Sequence, residues 1–587
     1  MIIGRHPLGY VVEVDGPQVL LNLHESTRGH AAGHADGVST VGQPGDLIGV
    51  EGGSNVIVVR VLSVAFAEPR EVHSRGSMGR STPAVPLRQL RGCVIGCISR
   101  HNERLEFTAH EWRLPVLGAA AFPLSDLEVL ATLGGKTGDG ERILLGRDAR
   151  SGLLPFSVGV DGLLGRHLAV LGGTGQGKTH FVAALLQCLA RAPDARIVVF
   201  DVNGEYAPAF AYLGSRLLVT RLGKEGLRIP YYALGRHGLS RLLLPSERAQ
   251  MPALRFALER LAFVEANEEG AGLVGEAKVL FDDCRAGDAR DAFQAIRKLK
   301  AGGAKPAAKW PHMSALSCLS AEWYATREDR GVARRDSFHY GHIHSLVNRI
   351  RGLIEDERFR EVVRVEGGQP AEGALSMAAE GARLVETVFG SQAGNPGGWS
   401  VHVVDLSRLA QDLMPFVLGS FLELYAAELF QRGPGNTHPT LLVLEEAHHY
   451  LRQLPGDAET GQHALAYERL AKEGRKFGVS LLVSTQRPSE VSPTVLAQCG
   501  TWAVFRLSNE ADQRSVSAAA ESAAANVARQ MSGLARGEAI LFGGAVPIAT
   551  RIAVVRPNPE PRSADPCFGR SWKMGSDVGE ESPPVPD

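Results

Sequence analysis

Apolar and polar positions along this chain change rhythm four times. From residue 1 to about 115, short runs alternate or are β-branched: Tyr10–Val14, Val19–Leu23, Leu47–Val50, Val56–Val64, Cys93–Ile98 and Leu105–Thr108. Turn residues such as Asp15-Gly16-Pro17 and Gly42-Gln43-Pro44-Gly45 separate them, and strands at that spacing predict a small β-barrel. Such a barrel reads either as a platform for partner docking or as a plain structural cap. Its polar stretch Ser74–Pro83 reads as a loop. Residues 116–165 read as a connector with a hairpin tip at Gly135–Glu141. From about 166 to 223 the period turns to strand–helix–strand, and Arg196–Asp201 is an unbroken apolar run of the kind a strand buried on both faces shows. Residues 224–399 are mostly helical. Leu254, Ala257, Leu258 and Leu261 share one helical face, and the spacing predicts a second helix over about Ser345–Val362. After residue 400 strand runs resume at Val401–Asp405, Thr440–Glu446, Val479–Ser484, Ala503–Leu507, Ala539–Phe542 and Ile548–Val555, with helices over Met414–Gln431 and Glu468–Lys476. From Arg556 the chain is rich in Pro, Ser and acid and reads as an extended, weakly ordered tail. The resulting segments are 1–115, 116–223, 224–399, 400–556 and 557–587.

At 587 residues the chain is too long for one core. A formal net charge of −1 excludes a wholesale electrostatic coat for nucleic acid, while leaving room for a local basic face or pore lining. The basic stretch Arg297–Lys309 could contact phosphates or be a solvated loop. Seven scattered cysteines with no CxxC pair point to reduced thiols rather than a zinc site or disulfide framework. The N-terminus lacks a signal-type apolar segment and no run approaches eighteen apolar residues, so the chain reads as soluble and cytoplasmic, without a membrane partner. The trio His339, His342 and His344 shows no carboxylate or Cys at ligand spacing and reads as surface or helix-entry histidines.

The chemistry concentrates in two places. Leu168–Leu171 leads into Gly172-Gly173-Thr174-Gly175-Gln176-Gly177-Lys178-Thr179 and, from His180, a helix-forming run, which fits G-x-x-x-x-G-K-[ST] between a strand and a helix. Glycines let the backbone wrap phosphates with its N–H groups inward, and the helix dipole adds positive field there. Lys178 can reach the β/γ-phosphates of ATP, and the Thr179 hydroxyl can ligate Mg²⁺. The Gly-Lys-Thr of the 135–141 stretch lacks this upstream spacing and is discounted. The second place is the buried-strand pattern ending in Glu445-Glu446. One carboxylate at such a strand end holds Mg²⁺ or its water shell, and the next polarises the attacking water. Glu445 is assigned the metal side and Glu446 the water, on a strand expected to neighbour that of the phosphate loop. Gln486, at the tip of Val479–Ser484, is placed to touch the γ-phosphate or the water. Asp201 and Glu205, after the second strand, either face the nucleotide or, for Asp201, cap a turn.

Taken together these residues resemble the HerA family of the HerA/FtsK clade. The phosphate loop GGTGQGKT, then DVNGEY, LEEAHHYL and GRKFGVSLLVSTQRPS match its pattern in order, and the N-terminal VGQPGDLIGV segment looks like its HAS-barrel. The resemblance implies an α/β fold, a RecA-like P-loop NTPase core with a helical insertion, preceded by a small β-barrel. It implies a homohexameric ring with ATP sites between subunits, where an arginine from the neighbour acts on the transferring phosphoryl. Arg475 is the first candidate and Arg487 the second. Family members translocate on duplex DNA with a nuclease such as NurA, or pair with effector subunits in antiviral defence. The expected function is therefore an ATP-hydrolysing hexameric DNA translocase or helicase with a partner nuclease or defence effector. The alternative is an ATP-gated ring scaffold that activates an effector without processive translocation. A conjugation-type ATPase of the same clade would call for a membrane-facing anchor, which the sequence does not display.

Overall fold

A computed structural model describes residues 7–24, 31–34, 37–40, 42–67, 87–101, 104–109, 113–134, 141–150, 152–266, 273–274, 307–329, 332–371, 373, 375–391, 398–451, 466–519, 530–562 and 572. The Ser74–Pro83 stretch, most of Gly135–Glu141, most of Arg297–Lys309 and all but one residue of the tail beyond 562 lie outside the described residues.

The N-terminal strands are β1 (Gly9–Asp15), β2 (Gln18–Leu23), β3 (Leu47–Gly52), β4 (Asn55–Phe66), β5 (Arg88–His101), β6 (Arg104–Ala109) and β7 (Ala120–Pro123). They pair in the order β2-β1-β7-β3-β4-β5-β6, and a further β2–β5 pairing closes the first six into a barrel. Closure removes the exposed edges that short antiparallel strands would otherwise present. Alternation fixes which side is in. Val11, Val19, Leu21, Ile48, Val50, Ile57, Val59 and Val61 are buried, while Tyr10 and Val12 point out. The strand that completes the circle, β7, comes from the stretch that reads as a connector. It pairs with β1 and β3 on either side.

The second sheet has eleven strands. Seven are parallel: β10 (His167–Leu171), β11 (Ile197–Asp201), β12 (Leu217–Arg221), β13 (Val401–Asp405), β14 (Thr440–Leu444), β15 (Val479–Thr485) and β16 (Cys499–Val504). Their lateral order is β16-β10-β15-β14-β11-β13-β12. Every residue of β10, β11, β13, β14 and β15 is buried, as strands covered on both faces require. Antiparallel strands β17 (Glu538–Gly543) and β18 (Thr550–Val554) extend the β16 edge. Two strands from the connector, β8 (Arg142–Asp148) and β9 (Pro155–Gly159), finish it. The architecture is therefore the expected α/β core preceded by a barrel, with the 116–165 stretch shared between the two.

Barrel and core are packed as neighbours. Leu47, Val58, Ile98 and Phe107 of the barrel share one apolar cluster with Ile143, Leu145, Phe156 and Phe181 of the core. The buried Arg60 guanidinium donates to the Ala549 carbonyl in the β17–β18 turn, and Arg150 meets Asp46 at 3.2 Å.

Among the described residues the insertion is mostly helical with a few short strand pairs, and Leu254, Ala257, Leu258 and Leu261 are buried together as their spacing predicts. Its longest helix differs from expectation. It runs Ser337–Glu355 and a separate short helix follows over Glu357–Val362. Asp336 caps the first through the amides of Phe338 and His339, and Asp356 starts the second by accepting from Arg358 N–H. Asp336 also bonds His339 Nδ1 at 2.5 Å, so the histidine trio does have a carboxylate beside it, engaged as a helix cap. His342 and His344 are exposed. Among the described residues, no helix is long and apolar enough to cross a membrane.

Residues 556–562, the start of the tail, are anchored to the core, with Pro557 and Pro561 buried. Asn558 N–H donates to Gln187 Oε1 (3.0 Å), Gln187 Nε2 donates to the Pro559 carbonyl (2.8 Å), and Arg562 N–H donates to the Glu205 carbonyl (2.9 Å).

Candidate active site

In a parallel sheet all strands end on one edge, so Leu171, Asp201, Leu444 and Thr485 bring their following loops together. After β10 the chain turns through Gly172–Gly177 into the helix α1 (Lys178–Leu189). Gly172 N–H donates to the Thr485 carbonyl at 3.3 Å and Gly173 N–H to the Arg506 carbonyl at 2.9 Å, which pins the loop to the tips of both neighbouring strands. A Cβ on Gly172 would lie 2.4 Å from the Cβ of Phe505, so this close approach admits only glycine. Gly177 enters the helix at φ +113°, open to glycine and strained for anything else. From the far side Gly537 N–H holds the Gln176 carbonyl at 3.0 Å. The first amides of α1 have no partner within the helix and supply the anion-attracting end. Lys178, its first residue, is 6% exposed and reaches back to the Gly173 carbonyl at 3.4 Å. The Thr179 hydroxyl bonds the Glu205 carboxylate, and His180 follows in the same turn.

The two acids after β14 face different neighbours. Glu445 is 2% exposed and its Oε2 accepts from the Tyr206 hydroxyl at 3.0 Å, while the Tyr450 hydroxyl donates to its backbone carbonyl at 2.8 Å. Burial, then the adjoining Glu446 charge, pushes its carboxyl up to about 7 against the pull of Lys178. Glu446 sits in the left-handed region at φ +45°, a conformation that costs a non-glycine residue about 1 kcal/mol or more. Its Oε1 accepts from Gln486 Nε2 at 3.2 Å, and Gln486 Oε1 in turn accepts from the Thr174 hydroxyl of the phosphate loop. Its Oε2 is buried and accepts no hydrogen bond, with His448 Nδ1 3.3 Å away. The loop and the acid pair thus share one cleft, joined by a glutamine.

That glutamine corrects the expected strand order. The strands of Lys178 and of the acids are not adjacent; β15 lies between them and carries Gln486 into the gap. Asp201 is also resolved. Its carboxylate accepts from Gly204, Glu205 and Tyr206 N–H at 2.9–3.1 Å, so it caps its own turn and presents Glu205 to Thr179. Burial holds the Asp201 and Glu205 carboxyls above the usual range. Arg475 is exposed and lies just before β15, close enough to His167 at the start of β10 to act on its charge. It is therefore one strand length, about 20 Å, from its own phosphate loop. Arg487 is on the loop edge but is engaged by Glu490 at 2.7 Å.

Sequence reading passed over Tyr206, Tyr450, His448 and Thr485. The two tyrosines close the DVNGEY and LEEAHHY segments, and a buried tyrosine hydroxyl needs a polar partner. In both cases that partner is Glu445.

The cradle suits a magnesium-bound triphosphate. The loop has room for no side chain at Gly172, one buried ammonium acts on two carboxylates (Glu205 and Glu445), and a buried oxygen of Glu446 accepts no hydrogen bond. Thr179 and Glu445 are the residues that would hold a divalent ion, with Glu205 bonded to Thr179. Among the described residues no three His, Cys, Asp or Glu side chains are grouped to hold one by themselves, so phosphate oxygens would supply the other ligands.

The chain is similar to several known proteins. The model of the family described as "Helicase HerA, central domain" matches residues 143–297. The DNA double-strand break repair helicase HerA of Pyrococcus furiosus is 25% identical over 437 residues, covering 68% of this chain and 67% of that one. The HerA of Sulfolobus acidocaldarius is 23% identical over 418 residues, 70% of each chain. Among solved structures, VirB4 of Thermoanaerobacter pseudethanolicus aligns with 72% of this chain and 98% of its own at 19% identity and a TM-score of 0.42.

Glu445 carries a prediction of sign. Its folded-state pKa lies above the unfolded value near 4.5, so the fold favours the protonated acid and loses stability as pH rises from there through about 7. Glu445→Gln, neutral throughout, should melt about 2–4 °C above the wild type at pH 8, with the gap closing by pH 5, in differential scanning fluorimetry.

Proposed function

We propose that this HerA-like P-loop ATPase works as a homohexameric, Mg²⁺-dependent motor on duplex DNA, with the N-terminal barrel as the tier on which a partner nuclease or defence effector docks. The observation that carries the catalytic part is the Thr174–Gln486–Glu446 chain, which ties the phosphate loop to an acid whose second oxygen accepts no hydrogen bond. In this reading the loop amides and Lys178 bind and orient the β/γ-phosphates. Thr179 and Glu445 face the metal, which when bound offsets phosphate charge. Glu446 takes the proton of the attacking water, and Gln486 lies between that water and the loop. Arg475, far from its own loop, serves the site of a neighbouring subunit, an effect commonly worth ~10³–10⁵ in rate. The relatives' names, DNA double-strand break repair helicases, support DNA as the track.

A second reading, a ring scaffold whose ATP state licenses an effector, draws support from the barrel's outward Tyr10, Val12, Val116 and Leu117, all more than 40% exposed. Motor and scaffold share every ATP-site residue, so the partner decides between them.

Lys178→Ala should abolish turnover with the fold intact. Glu446→Gln should bind ATP without hydrolysing it; if only Glu445→Gln behaves so, the two roles are exchanged. ATPase rate with and without duplex DNA separates the readings: stimulation that falls steeply with salt supports the motor, and stimulation by the partner alone supports the scaffold. Mixing inactive Arg475→Ala and Lys178→Ala subunits should restore turnover, because sites then form with an intact loop from one and the arginine from the other. No recovery on mixing would remove Arg475 from the trans role.

A further inference from the structure

His448 is 6% exposed and lies two residues beyond the acid pair, its ring against that of His449 at 4.1 Å between centroids. Its Nδ1 is 3.0 Å from the Thr485 hydroxyl and 3.3 Å from Glu446 Oε2. Thr485 Oγ already accepts the Arg487 N–H at 3.0 Å, and the Thr485 carbonyl receives Gly172 N–H of the phosphate loop. An imidazole lone pair aimed at a carboxylate would be repulsive, so the tautomer that fits carries its proton on Nδ1. That N–H is then donated to Thr485 Oγ, and Glu446 Oε2, 3.3 Å from the same nitrogen, feels its positive end without accepting a hydrogen bond.

We infer that His448 is a positioning residue for the hydrolytic carboxylate: with Gln486 donating to Oε1 and the His448 N–H dipole facing Oε2 at 3.3 Å, it fixes the plane of Glu446 over the phosphate loop. The strained backbone of Glu446 makes such a clamp necessary. A left-handed φ of +45° stays in place only where its surroundings hold it, and the carboxylate would otherwise be free to swing. A carboxylate oxygen has lone pairs for two partners, so Oε2 can face the imidazole and still accept from a water. Through Thr485 the clamp is referenced to the same strand tip that anchors Gly172, so acid and loop keep one register.

The inference rests on the reading of Glu446 as the base, and its test keeps the two apart. Steady-state hydrolysis of Mg-ATP and binding of a fluorescent ATP analogue are measured for the full chain carrying His448→Ala, His448→Asn or Glu446→Gln. Asparagine places an N–H close to the position of Nδ1. The expected result is a kcat reduced about ten- to a hundredfold in His448→Ala, as small misplacements of a reacting group cost. Analogue affinity should stay within twofold and most of kcat should return in His448→Asn. Wild-type kcat in His448→Ala, or equal losses in both His448 variants together with lost affinity or folding, overturns the clamp while leaving Glu446 its role. Wild-type hydrolysis by Glu446→Gln instead overturns the base assignment, and the clamp falls with it.

Discussion

Two carboxylates that would repel one another in water are held side by side out of water at the end of one strand, and the rest of the core accommodates them. Glu445 and Glu446 are both less than 10% exposed, and the charge of Glu446 is felt by Glu445. What makes this tolerable is a ring of donors recruited from separate elements. Tyr206, from the turn after β11, donates to the Glu445 carboxylate and Gln486, from the tip of β15, to that of Glu446; Lys178 of the phosphate loop adds its charge, and Tyr450, from the turn after β14, holds the Glu445 backbone carbonyl. Only a parallel sheet delivers so many strand ends to one edge, and the uninterrupted burial of these strands keeps them in register.

Much of this was legible in the sequence because it rests on local rules. The glycine spacing before Lys178, the apolar run that ends in two acids, and the leucine face at residues 254–261 each announce their structure through period or turn chemistry alone. What was not legible depends on contacts between distant segments. The four residues Ala120–Pro123 have no alternation to mark them, and only their pairing with β1 and β3 makes them a barrel strand. The lateral order that puts β15 between β10 and β14 has no local signature either. Asp201 illustrates the same limit: its type and place suit a ligand contact, but three backbone amides of its own turn occupy it. The helix expected from Ser345 begins at Ser337 because the Asp336 cap, rather than hydrophobic period, sets its start.

The first residues of the tail show an attachment that composition does not reveal. Gln187 of α1 grips the Pro-rich stretch after β18 through Asn558 and Pro559, and the Glu205 carbonyl receives the Arg562 amide. Prolines that cannot donate leave the few remaining N–H groups to make the attachments.

The turn between β17 and β18 offers its Ala549 carbonyl to Arg60 of the barrel, and the residue just before β17, Gly537, grips the phosphate loop at Gln176. The same pair of strands is thus a crossbar riveted at one end to the barrel and at the other to the nucleotide cradle. A load applied to the barrel is borne by the loop as well, without passing through the helical insertion.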